Sequence, residues 1–141
     1  MEKINKHTQD LMSSRFSKDS IIALATSVGG IPYVRNVDAY YENGSFYTIT
    51  HGLSNKMKQI EKNNIVAVAG EWFTGHGKAV NLGYFGKEEN TDIGASLKKA
   101  FSIWIDNGHN DFDDVNTCIL KIELTDGVLI SDGQWFEIDF T

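Results

Sequence analysis

Hydrophobic and polar positions alternate along much of the chain, and this period of two predicts β-strands. The first predicted strand, Ser20–Val28, ends at Gly29-Gly30, a two-residue hairpin signal. A return strand follows over 31–41. The pair Asn43-Gly44, typical of a type I′ turn, then leads into a third strand over 45–50.

The second half of the chain continues the β pattern. We expect 65–73 and 78–85 to pair around Gly75-His76-Gly77. Two later strands are predicted at 117–124 and 134–140, with turns at Asp126-Gly127 and Asp132-Gly133.

Three segments have a helical period instead. Apolar residues form a one-sided stripe between Ile4 and Phe16, Ser54 is a good N-cap for a short helix ending near Asn63, and 91–105 is amphipathic. An acidic loop follows over 106–116. The chain therefore predicts a mainly β protein: one domain spanning 1–141, built as a closed or nearly closed antiparallel barrel of six or seven strands with flanking helices.

Charge and composition narrow the classes of function. The 141 residues carry a net charge of -6, which disfavours binding to nucleic acid or to anionic membranes. No apolar run approaches the roughly 18 residues of a membrane helix, and a lone cysteine, Cys118, forms no internal disulfide. The expected location is a reducing cytoplasm. No metal site is predicted, since the four histidines lack ligand spacing and the acidic loop lacks that of an EF-hand.

The third strand and the helix after it carry the candidate chemistry. The helix that Ser54 opens offers free backbone N–H groups and a partial positive charge, which suit a phosphate. Lys56 adds a charge in the first turn, and Arg35 on the neighbouring strand adds a forked guanidinium. The same residues have simpler interpretations: Ser54 as an N-cap only, Lys56 on a solvated face, and Arg35 paired at the surface with an acidic neighbour.

The order of motifs resembles that of the pyridoxamine 5′-phosphate oxidase-like, FMN-binding split-barrel family, and in particular its general stress protein branch. The resemblance rests on four segments in succession: ALATSVGGIPYVRNV, YENGSFYTITHGLSNKMKQIEKNNIVAV, GHGKAVNLG and CILKIELTDGVLISDGQW. It implies a split barrel that binds flavin mononucleotide (FMN) at the interface of a homodimer.

Carried over by position, the resemblance also implies individual roles. Arg35 would contact the phosphate or ribityl chain, Ser54 and Lys56 would bind the phosphate, and the second subunit would complete the site. The residues implied along the flavin are Asn36, Val37, Thr48, Ile49 and Thr50, and those implied from the second subunit are His76, Lys78 and Trp135.

The oxidase after which the family is named binds the phosphate of its substrate with a C-terminal arginine–histidine pair. The last eight residues here, QWFEIDFT, contain neither, which argues against oxidation of pyridoxamine phosphate. The resemblance therefore implies an FMN-dependent oxidoreductase of unknown substrate, with no catalytic residue identified. The alternatives are a non-catalytic flavin-binding protein, such as a stress-related sensor or buffer, and a split barrel that binds haem or a deazaflavin.

Overall fold

A computed structural model describes all 141 residues. The chain is mostly β, as predicted. The strands are β1 (Glu2–Lys3), β2 (Ser20–Val28), β3 (Ile31–Glu42), β4 (Ser45–His51), β5 (Ile65–Gly70), β6 (Phe73–Tyr84), β7 (Thr117–Ser131) and β8 (Gln134–Asp139). The helices are α1 (Lys6–Phe16), α2 (Asn55–Lys62) and α3 (Thr91–Ala100), the last preceded by a 3₁₀ turn, Glu88–Asn90. None of these helices is long and apolar enough to span a membrane.

Six strands close into an antiparallel barrel in the order β7-β4-β3-β2-β5-β6, and β6 pairs back onto β7. The long strand β7 makes closure possible. Its first half pairs with β4 from Thr117 to Glu123, and its second half pairs with β8 from Asp126 to Ser131. β1 extends this side through a short parallel pairing with β8. The predicted split barrel with flanking helices is confirmed.

The main core fills the barrel, and the first two helices close it. α1 contributes Met12 and Phe16, and α2 contributes Met57 and Ile60, all of them buried. A second, smaller core lies outside β4 and β7, where α3 covers them with Leu97. The helical pattern over 91–105 therefore predicted too long a helix. The helix ends at Ala100, and the chain continues as turns.

Two predicted turns are wrong, and packing explains both. The β5–β6 turn is Glu71-Trp72, so Gly75 and Gly77 lie inside β6 rather than between strands. Gly127 likewise lies inside β7. A Cβ atom at Gly127 would lie 2.6 Å from the buried ring of Phe73, and a Cβ at Gly75 would lie 2.7 Å from a backbone oxygen of β7. These glycines allow β6 and β7 to approach each other closely, and they do not form turns.

The glycine at position 127 gives a test of this packing. Gly127→Ala is expected to lower the free energy of unfolding by about 1–3 kcal/mol, the usual cost of overpacking a core. In a Phe73→Leu background the same change is expected to cost less, because the smaller side chain leaves room for the methyl group. Urea unfolding of the four proteins of this cycle measures the difference. Equal costs in both backgrounds would rule out the clash with Phe73.

Candidate functional site

The barrel is split between β3 and β4. The two strands pair only from Tyr40 to Glu42 on β3 and from Ser45 to Tyr47 on β4, and beyond these residues they separate. In an antiparallel sheet, backbone groups point alternately to the two neighbouring strands. The Gly44 carbonyl accepts from Leu124 of β7, and the Gly52 N–H donates to Asn116 just before β7. By alternation the backbone of Ile49 therefore points to β3, where no strand partner meets it. We call this gap, between 35–38 of β3 and 48–51 of β4, the split.

The β3 side of the split follows the same alternation. Tyr40 pairs with β4, so the backbone groups of Asn36 and Asp38 also point into the split without a strand partner. Unpaired backbone donors and acceptors on two facing strand edges suit a flat ligand with polar atoms along its rim.

The predicted residues of these two strands lie on different faces. Arg35 and Val37 lie on the inner face of β3, whereas the Asn36 side chain is exposed on the outer face. On β4, Thr48 and Thr50 are buried and point inward, whereas Ile49 packs outward into the second core. Asn36 and Ile49 therefore border the split with their backbones. Side chains border it at the inward positions Arg35, Val37, Thr48 and Thr50.

Arg35 is held by neutral oxygen atoms. Its Nη1 donates to the carbonyl of Leu24 at 3.2 Å and to the Thr26 hydroxyl at 2.9 Å, and its Nη2 donates to Gln59 Oε1 at 2.8 Å. Thr26 also donates to Gln59 Oε1, at 2.6 Å. An arginine has five N–H donors, so two remain for a ligand while the other three fix the plane of the group. The alternative of a surface pair between Arg35 and an acidic neighbour is wrong.

Lys56 lies beside Arg35 at the start of α2. Burial lowers the pKa of the Lys56 ammonium, and the nearby charge of Arg35 lowers it further. Burial also lowers the pKa of Arg35. No carboxylate forms an ion pair with either residue. Two partly buried cations that repel each other, without a counter-ion, form a site whose electrostatics favour an anion.

Ser54 is the N-cap of α2 and precedes Lys56 by two residues. Its side-chain oxygen accepts from the backbone N–H of Met57 at 3.4 Å, so the capping role is confirmed. The capping bond uses the oxygen as an acceptor and leaves the hydroxyl proton free to be donated. The structure thus places Lys56 near Arg35, with Ser54 two residues before Lys56 at the start of α2.

The three residues predicted from a second subunit lie elsewhere. His76 and Lys78 are exposed on the outer face of β6, and His76 Nδ1 lies 2.9 Å from Asp126 Oδ1. Trp135 lies on β8, three strands from β3 in the sheet order, with 72% of its surface exposed. Within one chain these residues do not join the split.

The structure adds Gln59 and Thr26, which sequence reasoning missed. Gln59 orients Arg35 from α2, and Thr26 does so from the inner face of β2. The sequence contained one signal for Thr26 and none for Gln59. Thr26 occupies an inward position in the alternation of β2 after Ile22 and Leu24, where an apolar residue is expected.

No protein-family model matches the sequence, and no curated protein sequence matches it. Solved structures do match. General Stress Protein 26 from Bacillus anthracis aligns with a TM-score of 0.69 at 19% identity, covering 93% of this chain and 98% of that one. A protein from Listeria innocua, provisionally assigned as a pyridoxamine 5′-phosphate oxidase, aligns with a TM-score of 0.65 at 14% identity, covering 84% of this chain and 94% of that one. This chain has their split-barrel fold.

Two further split-barrel matches differ in the cofactor that they are named for. A FAD-binding protein from Mesorhizobium loti aligns with a TM-score of 0.62 at 15% identity, covering 88% of this chain and 92% of that one. A haem-binding protein from Mycobacterium smegmatis aligns with a TM-score of 0.66 at 12% identity, covering 88% of this chain and 54% of that one. The split barrel alone therefore does not identify the cofactor.

Lys56→Met tests whether Lys56 serves ligand binding at the expense of stability. Without ligand, the variant is expected to be more stable than wild type at neutral pH, because it removes a partly buried charge and keeps the apolar stem. Between the lowered pKa and 10.5, folded wild type has released the Lys56 proton while the unfolded chain still holds it. Wild type therefore gains stability as pH rises through this interval, and the variant lacks that gain.

The measurement is urea unfolding of both proteins from pH 7 to pH 10 without flavin. Lys58→Met, at an exposed position of the same helix, is the control and is expected to follow wild type. A Lys56→Met variant that is less stable than wild type at pH 7 would show that Lys56 is a structural residue.

Proposed function

We propose that this protein is an FMN-binding oxidoreductase with its flavin in the split. The observation that carries the proposal is the cation pair Arg35 and Lys56, which lies at one end of the split without a carboxylate partner. A phosphate there would accept from Arg35, Lys56 and the Ser54 hydroxyl. Each charge-assisted hydrogen bond contributes about 1.5–3 kcal/mol.

The remainder of the split suits the ring of a flavin. The unpaired backbone groups of Asn36, Asp38 and Ile49 match the polar rim of an isoalloxazine, and Val37 offers apolar contact. The bound flavin would supply the hydride and electron chemistry, while the protein positions the ring and limits its access to water. No group of this chain is assigned to acid–base catalysis, so the substrate stays open.

Affinity for FMN and for riboflavin tests the phosphate assignment. Lys56→Met is expected to weaken FMN binding about 10–100-fold, because it removes a charged donor to the phosphate. Riboflavin has no phosphate, so it is expected to bind weakly to wild type and to be unaffected by the substitution. Isothermal titration gives all four constants. Equal losses for the two flavins would refute the assignment.

The visible absorption spectrum of the purified protein separates the alternatives. A retained flavin spectrum supports the proposal, and a haem spectrum replaces the flavin with the cofactor named for the M. smegmatis protein. Tight FMN binding without turnover of any reductant would leave a non-catalytic flavin-binding protein.

We also propose that a second copy of the chain covers the outer face of the barrel. Four outward alanines on β2 and β5 form a flat apolar surface, which we call the alanine platform: Ala23, Ala25, Ala67 and Ala69. Val34, 70% exposed, borders it on β3, and the His76–Asp126 pair borders it on the other side. Small side chains allow an identical sheet to approach closely, as in stacked sheets.

Ala67→Lys places a charge in the centre of the alanine platform. If a second copy covers this face, the substitution is expected to convert a dimer into a monomer and to weaken flavin binding, since the proposed second-subunit residues would be lost. Sedimentation velocity measures the state of assembly. Ala95→Lys, at an exposed position on α3, is the matched control and is expected to stay dimeric. A wild-type monomer that holds flavin would contradict this arrangement.

A further inference from the structure

A cleft of about 430 Å³ lies between α3, the segment that joins β6 to α3, and the loop before β7. None of its lining residues belongs to the split or to α2, so the cleft is not part of the proposed flavin site. Its volume is within the range of about 300–1,000 Å³ that is usual for small-molecule sites. The lining residues are Phe85, Gly86, Lys87, Asn90, Thr91, Gly94, Ala95, Lys98 and Phe112.

One face of α3 forms the floor of the cleft. Its lining residues follow the i, i+3, i+4 and i+7 spacing of a single helix face: Thr91, Gly94, Ala95 and Lys98. The two residues in the middle of this face, Gly94 and Ala95, have almost no side chain. The floor is therefore recessed at its centre, and a lysine lies at its C-terminal end.

Two phenyl rings form an apolar wall of the cleft. The ring centroids of Phe85 and Phe112 lie 4.7 Å apart. Phe85 is part of the second core, and the Tyr84 hydroxyl of β6 donates to the Phe112 carbonyl, which ties the loop to the barrel. The fold thus holds both rings in place, and an aromatic pair of this kind suits contact with a third ring.

Lys98 gives the cleft a positive charge. Its Nζ lies 5.7 Å from the ring centroid of Phe85 and 5.6 Å from that of Phe112. No carboxylate pairs with Lys98 or with Lys87, and no acidic residue lines the cleft. The three N–H donors of an ammonium group are not used by the rings alone. The cleft therefore suits an anion with an apolar body.

Asn90 adds a hydrogen-bond acceptor. The residue is only 4% exposed, and its amide nitrogen donates to the carbonyls of Leu82 at 3.1 Å and Tyr84 at 2.8 Å. These two bonds fix the amide, and its Oδ1 accepts no hydrogen bond from the chain. Since no buried polar side-chain atom lacks a partner, this oxygen reaches the surface of the cleft that Asn90 lines. It needs an N–H or O–H donor from outside the chain.

We propose that this cleft binds an aromatic monocarboxylate that also carries a hydrogen-bond donor, as an aminobenzoate does. The carboxylate faces Lys98, the donor bonds to Asn90 Oδ1, and the ring lies against the apolar wall and the recessed floor. A carboxylate fits better than a phosphate dianion, because a single charge costs less to remove from water beside apolar walls. The inference is independent of the proposed flavin site.

Isothermal titration with 2-aminobenzoate tests the site. Wild type is expected to bind it at least about tenfold more tightly than 2-aminobenzamide, which has the same ring and amino group without the charge. Lys98→Gln is expected to weaken binding of 2-aminobenzoate about tenfold and to leave that of 2-aminobenzamide unchanged. Lys99→Gln, the matched control, removes the same charge at an exposed position outside the cleft and is expected to behave as wild type.

The acceptor and the shape of the cleft have tests of their own. Benzoate lacks the amino group, so it is expected to bind wild type more weakly than 2-aminobenzoate, because Asn90 Oδ1 would have no donor from the ligand. Ala95→Leu fills the floor from an exposed position of α3 and is expected to abolish binding.

No binding of 2-aminobenzoate to wild type would overturn the proposal. Equal losses in Lys98→Gln and Lys99→Gln would overturn it as well, as would unchanged binding to Ala95→Leu. Lys56→Met is expected to bind 2-aminobenzoate as wild type does. Failure of the flavin site and failure of this cleft are therefore separate results.

Discussion

The separation of β3 from β4 is the constraint on which the candidate site depends. A buried backbone group without a partner is costly, so a barrel normally pairs its strands along their full length. Here the ladder stops at Tyr40 and Tyr47, and the inner face of the gap is occupied by Arg35. The hydrogen bonds from Arg35 to Leu24, Thr26 and Gln59 join β3 to β2 and α2. Arg35 therefore both holds the unpaired part of β3 in place and faces the split.

The electrostatics of this edge suit an anion. The chain carries a net charge of -6, yet Arg35 and Lys56 lie together without a counter-ion, and Lys56 has a lowered pKa. Such an arrangement reduces the stability of the ligand-free fold, because each cation disfavours the other. Proteins commonly accept a loss of this kind where the residues serve binding. An anion at this point would relieve the repulsion, so binding and folding are coupled through the same pair of residues.

Sequence reasoning recovered the strands that end at clear turn signals. Ser20–Val28 was predicted with its observed bounds because Gly29-Gly30 closes a two-residue hairpin. The glycines at positions 75 and 77 misled the prediction, because a glycine that makes room for a neighbouring strand looks like one that makes a turn. That distinction depends on β7, whose Asp126 and Glu123 carbonyl oxygens would each lie 2.7 Å from a Cβ at these positions, and no local pattern reveals it.

The candidate site could be predicted only where a residue type in a local pattern points to anion binding. Ser54 and Lys56 follow from a strand-to-helix pattern, and Arg35 follows from the neighbouring strand. Gln59 could not be predicted, since its role depends on how α2 packs against β2 and β3. Alternation along a strand places Asn36 and Arg35 on opposite faces of β3. Alternation does not indicate which backbone edge stays unpaired, because that depends on where two strands stop pairing.

The fold alone does not identify a cofactor, since it is shared by proteins named for FAD and for haem. Haem carries two carboxylates and flavin nucleotides carry phosphate, so a pair of cations accepts either class of anion. The free backbone groups of Asn36 and Ile49 add the discrimination. A flavin has hydrogen-bonding atoms along the edge of its ring, whereas most of the edge of haem is apolar and would leave these backbone groups without partners. Because backbone groups without partners are costly, these groups fit the proposed flavin better than haem.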